Sequence, residues 1–414
     1  MRFIRLLALL LLAAVLIFVS IGYLFTYRYP GLRFDPIPLT TELNPRDVTI
    51  SAQGAYVKDS KQGLFRAFSP HISFAVEASK QTEVSISLEN VHPQAQVIFD
   101  EAMIFQEHVM GLKRTISFTT GKNSLSTFKV QFPEKDKYRF GAIGDSGGDS
   151  ELAWGLKRLA SQDVDFILHL GDGYYTPDNV GNVQIHFNQA AVPVYATNGN
   201  HDFHAKEWLT VETYMQNIGP LNNRFKLLNH CFINLETGGF MFPTHGGDRG
   251  RFLRETVQQL TTTPNECQPI IFTHKPILSN LDLDIPQVKH TLYGYDSRWI
   301  LKQLHKLPNP VLLAGHIHQD FEFTQDGIKT YVTGSGLAQD DLLAQGFVAK
   351  LLIGEINADG ELSTQWITNE MPLNYHCSQK VRNSLQHKMD KKSKPKKKAK
   401  YAQLLKKLSA ACGN

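Results

Sequence analysis

The first third of the chain alternates apolar and polar positions with a period of two. The alternation is clearest at 72–76, 84–88, 116–118 and 128–132. This period is typical of half-buried antiparallel strands, because successive side chains of a strand face opposite sides of the sheet. The pattern therefore predicts a small all-β sandwich, which we place at 39–136.

From residue 138 the pattern changes to short continuous apolar runs. These runs lie at 140–143, 166–168, 192–194, 270–272 and 311–313. Continuous apolarity favours strands that are covered on both faces. Between the runs, apolar residues recur at helical spacing, as in Leu152, Leu156 and Leu159. Alternating strands and helices indicate a layered α/β domain, which we place at 137–372.

The N-terminus is apolar. Residues 6–25 carry no charge, and 20 residues is the length at which a helix spans a bilayer. Arg2 and Arg5 precede this segment, so we predict a transmembrane anchor and linker over 1–38. The rest of the chain would then be exported to a periplasmic or other extracytoplasmic compartment. A signal peptide cleaved near 20–22 is the alternative, and the protein would then be secreted.

The C-terminus is strongly basic. Residues 379–414 contain 12 Lys or Arg residues and one acid, whereas the whole chain has 43 basic and 39 acidic residues. The remainder therefore holds 31 basic and 38 acidic residues and is net acidic by about 7 charges. This composition predicts a disordered basic tail over 373–414. Contact with anionic lipid is an alternative, and nucleic-acid binding is less favoured because no aromatic residues are interleaved with the lysines.

The cysteines are few and widely spaced. They are Cys231, Cys267, Cys377 and Cys412. Their spacing matches no metal finger and no dense disulfide framework. We interpret them as buried free thiols, with one disulfide in an oxidising compartment as the alternative.

Residues with metal-binding side chains follow five of the predicted strands. They lie in the motifs GDSG, GDGYY, GNHD, IFTH and GHIH, at 144–147, 171–175, 199–202, 271–274 and 315–318. Ligands of open α/β sheets bind beyond the carboxyl ends of the strands, so we expect these segments at one rim. Their carboxylate, imidazole, amide and phenol groups form an oxygen and nitrogen set that suits Fe, Mn or Zn. Two such ions, bridged by a carboxylate, are suited to in-line displacement at phosphorus.

The order of these motifs resembles that of the purple acid phosphatases, within the calcineurin-like metallophosphoesterases. Most other branches begin with DxH, whose histidine binds metal, whereas this chain has Asp145-Ser146-Gly147. Tyr175 stands three residues after Asp172, where the purple enzymes place the tyrosinate that binds ferric iron. The resemblance implies a four-layer metallophosphoesterase fold, that is, a β-sandwich flanked by helices. It also implies that the preceding all-β domain is fibronectin-like.

The resemblance implies two metal ions held by seven residues: Asp145, Asp172, Tyr175, Asn200, His274, His316 and His318. Asp172 would bridge the ions. Fe(III) would be bound by Asp145, Tyr175 and His318. The second ion, which is Fe(II), Zn(II) or Mn(II), would be bound by Asn200, His274 and His316.

The catalytic residues that the resemblance implies are histidines and a supporting carboxylate. His201 would contact substrate or protonate the leaving group, and Asp202 would orient it. His290 is the candidate for a second substrate-facing histidine, with His204 and His245 as alternatives.

These features together predict an acid phosphatase-like hydrolase that cleaves phosphate monoesters by attack of a metal-bound hydroxide. A phosphodiesterase with the same metal site is one alternative. A membrane-tethered binding protein with a residual metal site is the alternative from another class.

Overall fold

The computed structural model describes most of the chain. The described residues are 10–20, 39–45, 47–175, 179–202, 210–239, 247–262, 267–279, 284–285, 288, 291–292, 294–334, 348–370, 377, 379–391 and 395–413. All seven predicted metal ligands lie in these ranges. The predicted His290 and its alternatives His204 and His245 lie outside them.

Two five-stranded sheets pack face to face in the N-terminal part. Their strands are β1 Glu42–Leu43, β2 Val48–Gln53, β3 Ala55–Asp59, β4 Leu64–Ala67, β5 Ile72–Ala78, β6 Glu83–Glu89, β7 Gln96–Phe99, β8 Phe105–Met110, β9 Lys113–Thr119 and β10 Ser124–Gln131. The strand orders are β1-β2-β5-β10-β7 and β3-β4-β6-β9-β8. Alternate side chains such as Phe65, Phe74 and Phe118 form the core between the sheets. The boundaries 39–136 and the fibronectin-like assignment stay predictions.

The second part contains two further sheets. Their strands are β11 Lys137–Ile143, β12 Phe166–Leu170, β13 Val194–Thr197, β14 Asn223–Leu227, β15 His230–Asn234, β16 Gln268–Phe272, β17 Val311–Ala314, β18 Asp320–Gln325, β19 Ile328–Thr333, β20 Val348–Asn357 and β21 Leu362–Glu370. One sheet has the order β13-β12-β11-β20-β21, and the other has the order β14-β15-β16-β17-β19-β18. The strands that precede the metal-binding motifs are parallel within each sheet.

Helices cover the outer faces of these two sheets. They are α2 Ser150–Ala160, α3 Val180–Gln189, α4 Thr210–Asn217, α5 Asp248–Thr262 and α6 Tyr295–Leu304. The first three pack on the sheet that contains β11, and the last two pack on the sheet that contains β16. Aromatic side chains such as Phe140, Phe166 and Phe232 fill the space between the sheets. The predicted layered α/β class is therefore confirmed, and inner strands such as β17 are continuously apolar because both faces are buried.

Buried polar contacts join the two parts. Asn90 donates from Nδ2 to the carbonyl of Val194 at 2.9 Å and accepts the Val194 amide at Oδ1, also at 2.9 Å. Arg66 is fully buried and donates to the carbonyl of Ile218 at 3.2 Å and to Oδ1 of Asn188 at 2.5 Å. These contacts fix the sheet pair to β13 and to the ends of α3 and α4.

The N-terminal segment is helical over its described part. Helix α1 comprises residues 10–20, and all of these residues are exposed. No helix in the described ranges is long and apolar enough to cross a membrane. The predicted span 6–25 extends beyond residues 10–20 on both sides, so the anchor stays a prediction.

The described part of the C-terminal tail is helical, which corrects the expectation of disorder over 373–414. Helices α7 Gln379–Lys391 and α8 Pro395–Ala411 pack around Leu385, Leu404 and Leu408. A disulfide between Cys377 and Cys412 joins the two ends of this hairpin. A crosslink across such a loop stabilises by about 4 kcal/mol in the chain-entropy account. Composition alone was misleading, because the lysines lie outside a small apolar contact.

The interpretation of the cysteines as free thiols is also wrong. A second disulfide joins Cys231 and Cys267, so none of the four cysteines is free. Cys231 lies in β15, and Cys267 directly precedes β16, its parallel neighbour. Strand pairing therefore brings together two residues that are 36 positions apart in the sequence.

Candidate metal centre

The predicted ligands meet at the carboxyl ends of strands from both inner sheets. Asp145, Asp172 and Asn200 follow β11, β12 and β13, which are neighbours in one sheet. His274 and His316 follow β16 and β17, which are neighbours in the other. The site therefore lies where the two sheets present the same edge, as the strand-end rule predicts.

Two groups of potential ligand atoms share Asp172. One group is Asp172, His274 and His316. The other is Asp145, Asp172 and His318. Within each group the atoms lie within 4.8 Å of one another. A carboxylate common to both groups is what a bridged pair of ions requires.

Two other potential ligand atoms lie close to one ring nitrogen of His274. Nε2 of His274 lies 3.0 Å from Oδ1 of Asn200 and 3.1 Å from Nδ1 of His316. Ligand atoms on metal bonds of about 2.1 Å stand about 3 Å apart when the bonds are at right angles. Nδ1 of His274 lies 2.8 Å from the carbonyl of Leu170, and donation to this carbonyl leaves Nε2 free to bind metal.

The phenol of Tyr175 lies beside the second group. Its Oη lies 3.4 Å from Nε2 of His318, which in turn lies 3.3 Å from Oδ1 of Asp145. The ring of Tyr175 also packs edge-on against His201 with ring centres 4.7 Å apart. Tyr175 is therefore on the side of the site where the resemblance puts the ferric ion.

The residues present fit two cations. Oδ1 of Asp145 and Oδ2 of Asp172 are buried and make no hydrogen bond with any described residue. A buried carboxylate oxygen that accepts no hydrogen bond is costly, and a bound cation removes that cost. The carboxylate, imidazole, amide and phenol donors are a set that Fe, Mn and Zn accept.

The backbone at the ligands is unusual. Asp145, Asp172, His316 and His318 all have positive φ, between 52° and 71°. Residues other than glycine rarely adopt this region, and such strain concentrates at functional sites. Sequence patterns carry no signal for this feature, although the adjacent glycines are consistent with it. A Cβ on Gly334 would lie 2.5 Å from Oδ2 of Asp145, so the backbone passes the carboxylate only because a side chain is absent.

The site is strongly coupled electrostatically. Burial lowers the pKa of His274, but the carboxylates of Asp172 and Asp145 outweigh burial and raise that pKa to about 9. Burial would raise the pKa of Asp172, but His274 and His201 reverse the effect and lower it. Burial also raises the pKa of Asp145. Without metal, His274 therefore carries the positive charge beside Asp172 at neutral pH.

Metal binding at neutral pH is expected to release about one proton for each protein molecule. His274 is protonated below its pKa of about 9 and must lose that proton to bind metal, so the apparent affinity should fall as the pH falls. Calorimetric titration with Zn²⁺ in buffers of different ionisation enthalpy measures the release. A binding heat that is the same in all buffers would contradict this protonation state.

Asp202 holds the loops that carry the ligands. Its Oδ2 accepts the amides of Asp172 and Gly199 at 3.1 and 2.6 Å, and its Oδ1 accepts the amide of Tyr174 at 3.3 Å. Burial and the charge of Asp172 raise the pKa of Asp202 to about 7. The amide of His201 donates to Oδ1 of Asp172 at 2.8 Å, which places His201 beside both ligand groups. The predicted roles of His201 and Asp202 in catalysis stay predictions, as does that of His290.

A buried pair that the motifs do not reveal links the first two ligand loops. Oγ of Ser146 lies 2.8 Å from Nε2 of His169, and both side chains are buried. Burial lowers the pKa of His169 to about 3, so the ring is neutral. The amide of Ser146 also donates to the carbonyl of Asp172 at 3.1 Å. This pair therefore fixes the loop of Asp145 against β12 and the loop that follows it.

Replacing Ser146 with Ala is expected to weaken metal binding by roughly 10- to 100-fold, the usual cost of losing a group that supports a ligand. The change removes the contact to His169 and leaves the backbone of the Asp145 loop free to shift. Metal affinity is measured by competition with a chromogenic chelator. Ser161→Ala, at the exposed end of α2, is the control and should bind as the wild type does.

Comparison with known proteins identifies the class of this domain. The family model for calcineurin-like phosphoesterases matches residues 138–320, so this part of the chain is similar to that family. The matched part contains all seven predicted ligands. No curated protein matches the sequence.

Several solved structures are similar in outline. A dimetal phosphatase from Danio rerio is 12% identical, with 56% of this chain and 98% of that chain covered and a TM-score of 0.42. GAP50, the anchor in the inner membrane complex of Plasmodium, is 14% identical, with 68% and 96% covered and a TM-score of 0.40. Purple acid phosphatase PPD1 from yellow lupin (Lupinus luteus) seeds is 12% identical, with 72% of each chain covered and a TM-score of 0.40. At these values the similarity does not bear on activity or substrate.

Proposed function

We propose that the chain is a binuclear metal hydrolase of phosphate monoesters, of the purple acid phosphatase type. The observation that carries the proposal is the pair of ligand groups that share Asp172. Tyr175 beside His318 supports the purple branch, because a phenolate ligand suits a ferric ion. Fe(III) paired with Fe(II), Zn(II) or Mn(II) is the proposed metal content.

Some side chains of the site would bind the metal ions, and another would contact the substrate. When bound, the two ions would activate a water molecule and neutralise charge on the phosphoryl group. Asp172 would hold both ions at a fixed separation, and Asp145 would remain ionised once a cation offsets its burial. His201 is partly exposed, whereas Asp145, Asp172 and His274 are buried. This exposure supports a role in which His201 contacts a phosphate oxygen or donates a proton to the leaving group.

The test is hydrolysis of a chromogenic phosphate monoester and of the matching diester by the metal-loaded full chain across pH. Faster monoester turnover with an acidic optimum supports the proposal. Faster diester turnover near neutral pH would replace it with a phosphodiesterase that uses the same residues. No turnover of either ester above that of the metal-stripped protein would favour a binding protein with a residual site.

Replacing Tyr175 with Phe is expected to abolish the visible charge-transfer absorption of the iron-loaded protein, because the phenolate that donates charge is lost. Absorption spectra of the two proteins at equal iron content measure the effect. Tyr174→Phe is the matched control, because the hydroxyl of Tyr174 donates to the carbonyl of Asp202 at 3.0 Å. This variant should keep the absorption band. A colourless iron-loaded wild type would sink the purple assignment.

We also propose that the catalytic domain is exported and held at a membrane by the segment 6–25. The two disulfides support an oxidising compartment, because such bonds are rare in the reducing cytosol. Cell fractionation with an alkylation assay of the four cysteines tests this proposal. Alkylation of all four cysteines without prior reduction would overturn it.

A further inference from the structure

We propose that the C-terminal hairpin, α7 and α8, is a cationic module that binds a membrane surface carrying anionic lipid headgroups. The proposal is independent of the reaction at the metal centre. It concerns a surface that no step of hydrolysis uses.

The hairpin is a folded unit with little core of its own. Its buried contact consists of Leu385, Leu404 and Leu408. Units of this size usually need a crosslink to stay folded, and the Cys377–Cys412 disulfide joins the start of α7 to the end of α8. The charges of the hairpin are therefore held on two packed helices and not on a random coil.

The charged side chains described as exposed on the hairpin are all cationic except one. The exposed lysines described on it are Lys391, Lys398, Lys400, Lys406 and Lys407. No salt bridge within the described ranges neutralises any of these five lysines. The single acid, Asp390, already accepts hydrogen bonds from Gln386 at 3.1 and 3.2 Å. Such a surface is complementary to an array of anions.

Helix α1, at the other end of the chain, indicates that the anionic partner of the hairpin is a lipid membrane. Helix α1 is apolar on all sides, and its large side chains are exposed, with Phe18 at 83%. A helix that is apolar all round is stable when something apolar covers it, as lipid does. A membrane with anionic lipid offers an apolar interior to α1 and negatively charged headgroups to the lysines of the hairpin. A nucleic acid would satisfy only the hairpin, and the one aromatic side chain of the hairpin, Tyr401, packs on its core.

The experiment is vesicle sedimentation of the oxidised full chain. It compares vesicles of phosphatidylcholine alone with vesicles that contain about one-third phosphatidylglycerol. The test variant replaces four exposed hairpin lysines with Gln: Lys398, Lys400, Lys406 and Lys407. The control variant replaces four exposed lysines elsewhere with Gln: Lys61, Lys122, Lys129 and Lys302. Circular dichroism confirms that both variants keep the helical content of the wild type.

We expect the wild type and the control to prefer anionic vesicles, and the hairpin variant to lose on the order of 100-fold of that preference. Binding to phosphatidylcholine through α1 should be equal in all three proteins. The preference should fall as salt is raised. Equal anionic preference in the hairpin variant and the wild type would overturn the proposal. Displacement of the wild type from anionic vesicles by duplex DNA at equal phosphate concentration would overturn it in favour of nucleic acid.

Discussion

Replacing Asp172 with Asn is expected to lower phosphate monoester turnover by more than about 100-fold, which is the upper range for losing a group that only supports a ligand. The amide cannot supply the negative charge that two cations share, and one metal equivalent should be lost. Turnover and metal content, measured by emission spectrometry on the same samples, check both parts. The effect is large because Asp172 belongs to both ligand groups.

Asp326→Asn is the matched control. Asp326 lies in the turn between β18 and β19 with φ of 50°, a conformation that Asn tolerates well. Its substitution should leave both activity and metal content unchanged. If Asp172→Asn kept both ions and the full rate, Asp172 would not be a bridge.

Replacing Arg66 with Ala is expected to destabilise the protein by about 3 kcal/mol or more, the usual cost of breaking a buried charged contact. Arg66 is fully buried, and one of its guanidinium nitrogens lies 3.5 Å from Oε2 of Glu89. Its loss would leave the carbonyl of Ile218 without this donor and open a cavity between the two parts of the chain. Urea unfolding, followed by circular dichroism, measures the effect.

The comparison for Arg66 is Lys80→Ala. Lys80 pairs with Asp47 at 3.0 Å, but the two side chains are 70% and 41% exposed. A pair so exposed contributes at most about 1 kcal/mol, so this change should shift the unfolding midpoint little. Equal shifts for the two variants would mean that the buried contacts of Arg66 do not hold the two parts together.

The strand ends made much of the site predictable from the sequence. Asp145, Asp172, His274 and His316 follow apolar runs that the structure shows as strands, so they are predicted to meet at one rim. The run predicted at 192–194 overlaps the strand before Asn200, Val194–Thr197, at one residue only. Strands covered on both faces appear in the sequence as continuous apolar runs, and polar residues directly after such a run lie at the end of the strand. The α/β class followed from the same alternation of runs and helices.

Other features depend on contacts between distant segments and left no local signal. The Cys231–Cys267 disulfide arises from the pairing of β15 with β16, which cysteine spacing does not encode. The helical hairpin was not predicted because lysines dominate its composition, whereas three leucines determine its packing. The contact of Ser146 with His169 joins the Asp145 loop to a residue of β12 that is 23 positions further along the chain. Such contacts are known only once the topology is fixed.

The contact between Asn90 and Val194 has a consequence for how the chain can be divided. Val194 begins β13, the strand that leads to Asn200, and its backbone amide and carbonyl are both satisfied from the other part of the chain. A fragment that starts near residue 137 would leave the amide and the carbonyl of Val194 unpaired on an edge strand and available to another strand. Asn90 therefore shields the start of an edge strand from intermolecular pairing, and a fragment without the N-terminal sheets is expected to associate or aggregate through β13.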